Sequence, residues 1–307
     1  MNGRSWHALA ALLGCFLVAG VEPLPQEPVV QTETESSSIK FSGEYELEET
    51  FIGVGNVRHG NEVVRDFGES NAIMRFIFTP RVKIGVLRLG AEWEKFDFDF
   101  SSSSPLPDEL QSVSLVLGID TQLSDSILVR FEAQPGVYNT GFDDLSDDFN
   151  MPFIAGGTYI YSPNLQFILG VSVDVERKYP VIPAAGVRWK IAPQWVLDAV
   201  LPKPRLEYEP HKDVTVYLGA NIKQTNFRVD DNFGSTHGNP RLDHAVLSYG
   251  EVRTGVGLDW KISSILTLSG EVGYQPYRSF DFYRADVEFD QTGGAAPYGM
   301  VSLHGAF

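Results

Sequence analysis

The feature that most constrains this chain is a two-residue rhythm that recurs from about residue 39 to the end. In Ile127 to Gln134, Ile127, Val129, Phe131 and Ala133 alternate with Arg130, Glu132 and Gln134. Leu165 to Glu176 sets Leu165, Phe167, Leu169, Val171, Val173 and Val175 against Gln166, Ser172, Asp174 and Glu176. Val214 to Lys223, Val246 to Trp260 and Leu266 to Gln275 repeat the pattern. Side chains of a strand point alternately to opposite faces, so each segment reads as a strand with one apolar and one polar face. No long stretch holds a helical period, so the fold class is all-β.

The connections alternate in length. Short turns are expected at Thr79-Pro80-Arg81, Leu123-Ser124-Asp125, Ser162-Pro163-Asn164, Ala192-Pro193-Gln194, Pro210-His211-Lys212 and Ser263-Ser264. Long polar connections are expected near 57–69, 99–110, 138–150, 229–244 and 277–296. Short turns on one side and long loops on the other suit a transmembrane barrel. A hairpin unit recurs around Trp189 (Val187 to Leu197) and Trp260 (Leu258 to Leu268). The segments predict about 14 strands, with 12 as the alternative. The difference rests on Trp195–Leu201 and Arg205–Glu209, where Pro202 and Pro204 interrupt, because proline cannot donate to a ladder.

Alternation alone does not say which face is inside. The polar faces carry charges of both signs at successive positions. The expected lumen-facing residues are Arg88, Glu92, Arg130, Glu132, Asp174, Arg188, Lys223, Glu251, Arg253 and Glu271. Aromatics gather near strand ends. Tyr159, Tyr161, Trp189, Trp195 and Trp260 lie by the short turns; Phe96, Phe98, Phe100, Tyr138, Phe142, Tyr277 and Phe282 lie near the long loops. Two belts at the two bilayer interfaces are the expectation. The predicted architecture is a closed antiparallel up-and-down transmembrane β-barrel over residues 39–307, with short periplasmic turns and long external loops.

Residues 1–20 read as a signal peptide: Arg4 supplies the positive charge, Ala8 to Ala19 the apolar run, and Val18-Ala19-Gly20 a cleavage point. Leu12-Leu13-Gly14-Cys15 also resembles a lipoprotein signal, and both readings stand. Residues 21–38 are rich in Pro, Glu, Ser and Thr and read as a flexible spacer. No later run is apolar and long enough for a membrane-crossing helix. The formal net charge of −16 argues against a nucleic-acid partner, which needs a basic face. With Cys15 as the single cysteine, intramolecular disulfides and cysteine-based metal sites are excluded.

The last strand ends on Phe307, and counting back by twos passes Gly305, Leu303 and Val301. Phe307, Leu303 and Val301 resemble the assembly signal of bacterial outer-membrane barrels, although Gly305 departs from the usual bulky residue. With the Trp189 and Trp260 hairpins, the region from Ile39 to Phe307 resembles a family of uncharacterised bacterial outer-membrane β-barrel proteins, classed as a domain of unknown function. That resemblance implies a cell outer-membrane location, contact with outer-membrane lipid, and the barrel-assembly machinery as a partner during biogenesis. It carries no catalytic residues or cofactor.

An enzyme is not expected. Ser302 and His304 share a face of the last strand but stand about 7 Å apart along it, too far for direct hydrogen bonding. The acidic run Asp143, Asp144, Asp147 and Asp148 lacks the spacing of a calcium loop and reads as a solvated loop. Opposite charges across a narrow lumen either line an aqueous path or lock into ion pairs that fill it. The leading functional expectation is a narrow channel or binding barrel for small polar solutes. The alternatives are a structural or surface-interaction barrel without transport, and then an outer-membrane hydrolase.

Overall fold

The computed structural model describes residues 42–101, 104–141 and 148–307. The expected signal peptide, the spacer, Cys15, Ile39, Phe142 and most of the acidic run lie outside the described residues. The rest forms a closed ring of 14 strands. These are β1 (Gly43–His59), β2 (Glu62–Phe78), β3 (Gly85–Asp99) and β4 (Glu109–Ser124). Next, β5 joins Ile127–Ala133 to Gly136–Asn139, and β6 joins Phe149–Asn150 to Phe153–Ser162. Four shorter strands follow: β7 (Leu165–Val173), β8 (Val181–Ala192), β9 (Trp195–Ala199) and β10 (Arg205–His211). The ring is completed by β11 (Val214–Arg228), β12 (Val246–Ser263), β13 (Leu266–Phe282) and β14 (Val287–Thr292 with Ala296–Ala306). Both strands of the uncertain pair are real, which decides for 14 over 12. No described helix is long and apolar enough to cross a membrane.

The alternation read from the sequence becomes an inside and an outside. On β4, Val113, Leu115 and Leu117 are exposed, whereas Ser112, Ser114 and Val116 are buried between them. Phe51, Met74, Phe76, Phe131, Leu169, Leu218, Val256 and Val272 continue an apolar outer surface. An exposed apolar face with buried charges behind it is the inverse of a soluble barrel and fits a bilayer as solvent.

Closure runs through the last strand. β14 pairs with β1 from Glu44↔Ala306 to Ile52↔Tyr298, and with β13 on its other edge. Gly43 and Phe307 exchange two backbone hydrogen bonds, each 2.9 Å. The structure also explains Gly305. A Cβ there would lie 2.0 Å from the Ile265 carbonyl oxygen and 3.0 Å from the Tyr45 hydroxyl, which itself donates to that carbonyl. Glycine is required because a neighbouring backbone and a ring occupy the side-chain space.

Two of the expected long loops are strands. Residues 57–69 belong to a hairpin that turns tightly at 60–61, where Gly60 takes φ +56°. Most of 277–296 belongs to β13 and β14. Seventeen residues extend about 56 Å, roughly twice the apolar height of an outer membrane, so β1, β2 and β13 rise well past the bilayer. Polarity led the sequence reading to loops here, because strands above a membrane face water on one side.

The wall is not uniform. β8 pairs with β9 only over Val187–Ala192, so Val181–Gly186 has no strand on that edge. β11 pairs with β10 only as far as Gly219, then donates from Ala220 and Ile222 to the carbonyls of Pro204 and Pro202. Prolines suit this segment, because it needs acceptors and not donors. The β9–β10 hairpin therefore stops about six residues, or about 20 Å, below the tops of its neighbours. Above it β11 leans across the lumen: Arg228 pairs with Asn139 of β5, the one parallel pairing among the described residues.

Candidate functional site

The lumen has three levels. At the short-turn end, in-facing charges are locked together. Arg130 forks onto Asp120 at 2.7 and 2.8 Å, a bidentate geometry. Arg88, 2% exposed, bonds Glu132 at 3.1 Å and Glu44 at 3.0 Å. Arg75 joins them, donating to Glu132 at 2.9 Å and lying 3.2 Å from the Glu92 carboxylate. On the opposite wall Arg188 meets Asp198 at 2.6 Å, and Lys190 meets Glu209 at 3.6 Å. Tyr298 bonds Glu271. Of the two outcomes expected for these charges, the structure shows ion pairs.

The middle level holds a cavity of about 180 Å³. Glu94, paired with Lys223, and Glu48, within 3.5 Å of Arg253, stand at its edge. Arg253 also donates to Thr50 at 2.6 Å and lies 3.4 Å from Glu251, which accepts from Gln275 at 2.8 Å. Asp174, at the top of β7, accepts from Asn150 at 3.0 Å and Asn226 at 2.6 Å. Ile154, Ile222, Pro152 and Pro202 contribute apolar surface to the same cavity.

The loop-side level is apolar. Phe67, Phe96, Phe98, Tyr249 and Phe280 are 0–6% exposed and pack ring on ring. Phe96 meets Tyr249 edge-on at 4.9 Å, and Phe280 meets Phe67 and Phe98 edge-on at 5.4 and 5.2 Å. Edge-to-face pairs place the positive ring edge on the negative face, adding about 1 kcal/mol to the burial of each ring. Leu106, Phe227, Leu247 and Phe282 extend the layer across the lumen. Beneath it Arg278 pairs with Glu69, and Tyr249 donates to the same carboxylate at 2.6 Å.

This layer corrects the second expected belt. Tyr159, Tyr161, Trp189, Trp195 and Trp260 are exposed on the outer wall as expected. Phe96, Phe98, Tyr138 and Phe282 instead point into the lumen. The two-residue count that puts Arg88, Glu92 and Glu94 inside also puts Phe96 and Phe98 inside. Position near a loop was the weaker guide.

Of the ten expected lumen residues, Arg88, Arg130, Glu132, Asp174, Glu251, Arg253 and Glu271 are buried, Glu92 and Lys223 border the cavity, and Arg188 bonds Asp198; the structure joins Arg88 with Glu132 and Arg253 with Glu251 directly. Phe307 and Val301 are exposed on the outer wall, and Leu303 sits in register between Leu47 and Leu268. Sequence reading missed Glu44, Glu48, Glu69, Arg177 and Arg278. Glu44 and Glu48 share a period with Glu46 and were legible. Arg278 was not: a bulge between the pairs Val252↔Tyr277 and Thr254↔Tyr274 switches parity, so Gln275 and Arg278 are both fully buried. Asp148, the described member of the acidic run, accepts from Asn139 at 3.0 Å.

Together these features define an outer-membrane type of closed β-barrel, apolar outside, charged within and capped inside by an aromatic layer. The chain belongs to the family described as Domain of unknown function (DUF6268), whose model matches residues 75–289. No curated protein matches the chain. Among solved structures, the COG4313 outer membrane channel from Pseudomonas putida F1 aligns with 91% of this chain and 100% of its own. Its identity is 8% and its TM-score 0.50, a likeness of fold. The Pseudomonas putida toluene transporter TodX (9% identity, 86% of this chain and 89% of that one) overlaps more loosely, at a TM-score of 0.36. The NanC porin (9% identity, 84% and 98%) does so at 0.37.

Proposed function

We propose that the protein is an outer-membrane barrel that binds or conducts small polar solutes through a narrow, gated lumen. The observation that carries this reading is the cavity of about 180 Å³, bordered by charged and amide side chains and lying directly beneath the aromatic layer. A barrel built only for structure has no need to keep such a space, since voids cost packing energy. In this reading residues 1–20 direct export, 21–38 are a periplasmic spacer, and the first and last strands begin and end on the periplasmic side, with the tall strand ends outside. Lipid surrounds the outer wall, and the barrel-assembly machinery inserts it through the Phe307 strand. Planar-bilayer recordings test it: discrete current steps are expected, and silence across several salts and voltages overturns conduction.

A second reading has its own support. The ion pairs at the short-turn end and the aromatic layer at the other fill much of the lumen, as in a barrel that serves as a surface or structural element. The serine and histidine weighed for catalysis, Ser302 and His304, form no hydrogen bond with each other among the described residues; Ser302 is buried, in register between Glu48 and Ser269.

A further inference from the structure

Six carboxylates and four cations border the lumen cavity, and their pairings decide what it can take. The carboxylates are all engaged: Glu92 and Glu132 by Arg75, Glu94 by Lys223, Glu48 by Arg253, Glu46 by Lys203, and Asp174 by two asparagine amides. One cation is not comparably served. The Arg177 side chain is 6% exposed. Its two terminal nitrogens share a single acceptor, Ser172 Oγ, at 3.3 Å each. The nearest carboxylate oxygen, on Asp174, is 3.9 Å away, beyond hydrogen-bond reach. Its Nε has no acceptor. A guanidinium carries five donors in a fixed fork, and a buried polar group normally finds partners.

We infer that Arg177 anchors a subsite for the carboxylate of a small organic acid. The inference rests on the reading of the lumen as a space that takes up solutes. Three observations narrow the ligand. The fork geometry of Arg177 matches a planar oxyanion bound through two parallel hydrogen bonds. The Asp174 carboxylate close by favours a single negative charge over the double charge of a phosphate monoester. Ile154, Ile222, Pro152 and Pro202 offer an apolar lining to the body of the acid. The space corresponds to about six waters at about 30 Å³ each, the size of a short aliphatic or single-ring acid.

The fold holds this arginine in place. It lies in the β7–β8 connection, which bonds to β11 on one side and to the β13–β14 turn on the other. Its neighbour Glu176 is clamped by Arg228 and Arg284, each at 2.9 Å. The same connection is tied to β11 through Asp174 and Asn226. Arg177 is therefore presented to the cavity from a connection pinned at both sides. Its strands were legible from the sequence, but this use was not.

The test is calorimetric titration of the whole barrel in detergent with sodium benzoate, and with benzylammonium chloride as a probe of similar size and opposite charge. Benzoate is expected to bind, and benzylammonium at least about tenfold more weakly. R177Q is expected to lose at least about tenfold in benzoate affinity, as one charged hydrogen-bonding partner is worth that much, while keeping the heat-modifiable band of a folded barrel. R177K is expected to recover only part, since it restores charge without the fork. Equal benzoate binding by folded wild type and R177Q overturns the subsite, as does the absence of benzoate heat at tens of millimolar. If R177Q does not fold, unaltered benzoate affinity in folded R177K overturns it. Bilayer recordings on the same preparations separate the two ideas. Salt current without benzoate binding removes the subsite and keeps the channel; benzoate binding without current keeps the subsite and removes conduction.

Discussion

Arg278 and Glu69 meet at 2.8 Å with side chains 1% and 0% exposed, directly below the ring of Phe67. The guanidinium lies 4.8 Å from that ring centroid and donates to the Phe67 carbonyl at 3.3 Å. It thus joins the polar level of the lumen to the aromatic one. Removing one partner leaves the other charged and buried. Glu69→Gln is expected to cost about 3–5 kcal/mol in urea unfolding of the reconstituted barrel. Glu69→Leu combined with Arg278→Met is expected to restore most of it, because the apolar pair fits the layer above. A double variant as unstable as the single one would show that the pair, and not the stranded charge, holds the site.

In the proposed function the aromatic layer is the barrier at the loop side of the lumen. Phe67→Ala and Phe280→Ala each delete a fully buried ring. Each is expected to lower stability by about 3–5 kcal/mol and to raise single-channel conductance. Current unchanged in both variants would place the barrier elsewhere.

Gly305→Val is expected to block closure, since its Cβ would meet the Ile265 carbonyl oxygen at 2.0 Å. The backbone on both sides is fixed by pairing with β1 and β13. Loss of the heat-modifiable band is the readout. A normally folded variant would mean that β14 can shift away from β13.

The short β9–β10 hairpin leaves two strand edges without strand partners. Lys190 donates to Asn164 on the β7 side, so odd-numbered amides of β8 point to the free edge. At residue 183 that position is proline, which has no donor to leave unsatisfied. The amides of Val181 and Ala185, and those of Gln224 and Asn226 on β11, are expected to exchange hydrogen faster than Ala184 and Thr225, which face paired strands. Equal protection would show that another segment covers both edges.

Acid should loosen the β11–β12 connection. Asp243 accepts from the Ser235 backbone amide at 2.7 Å and from its hydroxyl, and these bonds hold its carboxyl below the usual aspartate range. A depressed folded-state pKa stabilises above the unfolded value and stops doing so as pH falls through the folded one. Protease nicking within 229–244 is therefore expected to increase below the ordinary carboxylate range, and Asp243→Asn to show that sensitivity already at neutral pH.

The sequence by itself determined the all-β class, the inside-out polarity of the wall and five of the six short turns; the first turn lies at 83–84 and not at Thr79-Pro80-Arg81, because Arg81 and Val82 still pair with Val86 and Gly85. The class follows from alternation, a property of adjacent residues that survives without knowledge of the partner strand, and the polarity from alternation joined to the charges and the aromatics beside the short turns. It left open whether Trp195–Leu201 and Arg205–Glu209 were strands, and it misread the tall ends of β1, β2 and β13 as loops. Tertiary structure alone decided what depends on distant backbone or on broken parity. The bulge near Gln275 brought Arg278 to Glu69, 209 positions away in the chain. The lean of β11 onto Asn139 divided the lumen and sheltered the cavity. The same lean, with the connection after β7, left Arg177 buried with its fork half used. Such relationships come from how the ring closes, and no local pattern encodes that.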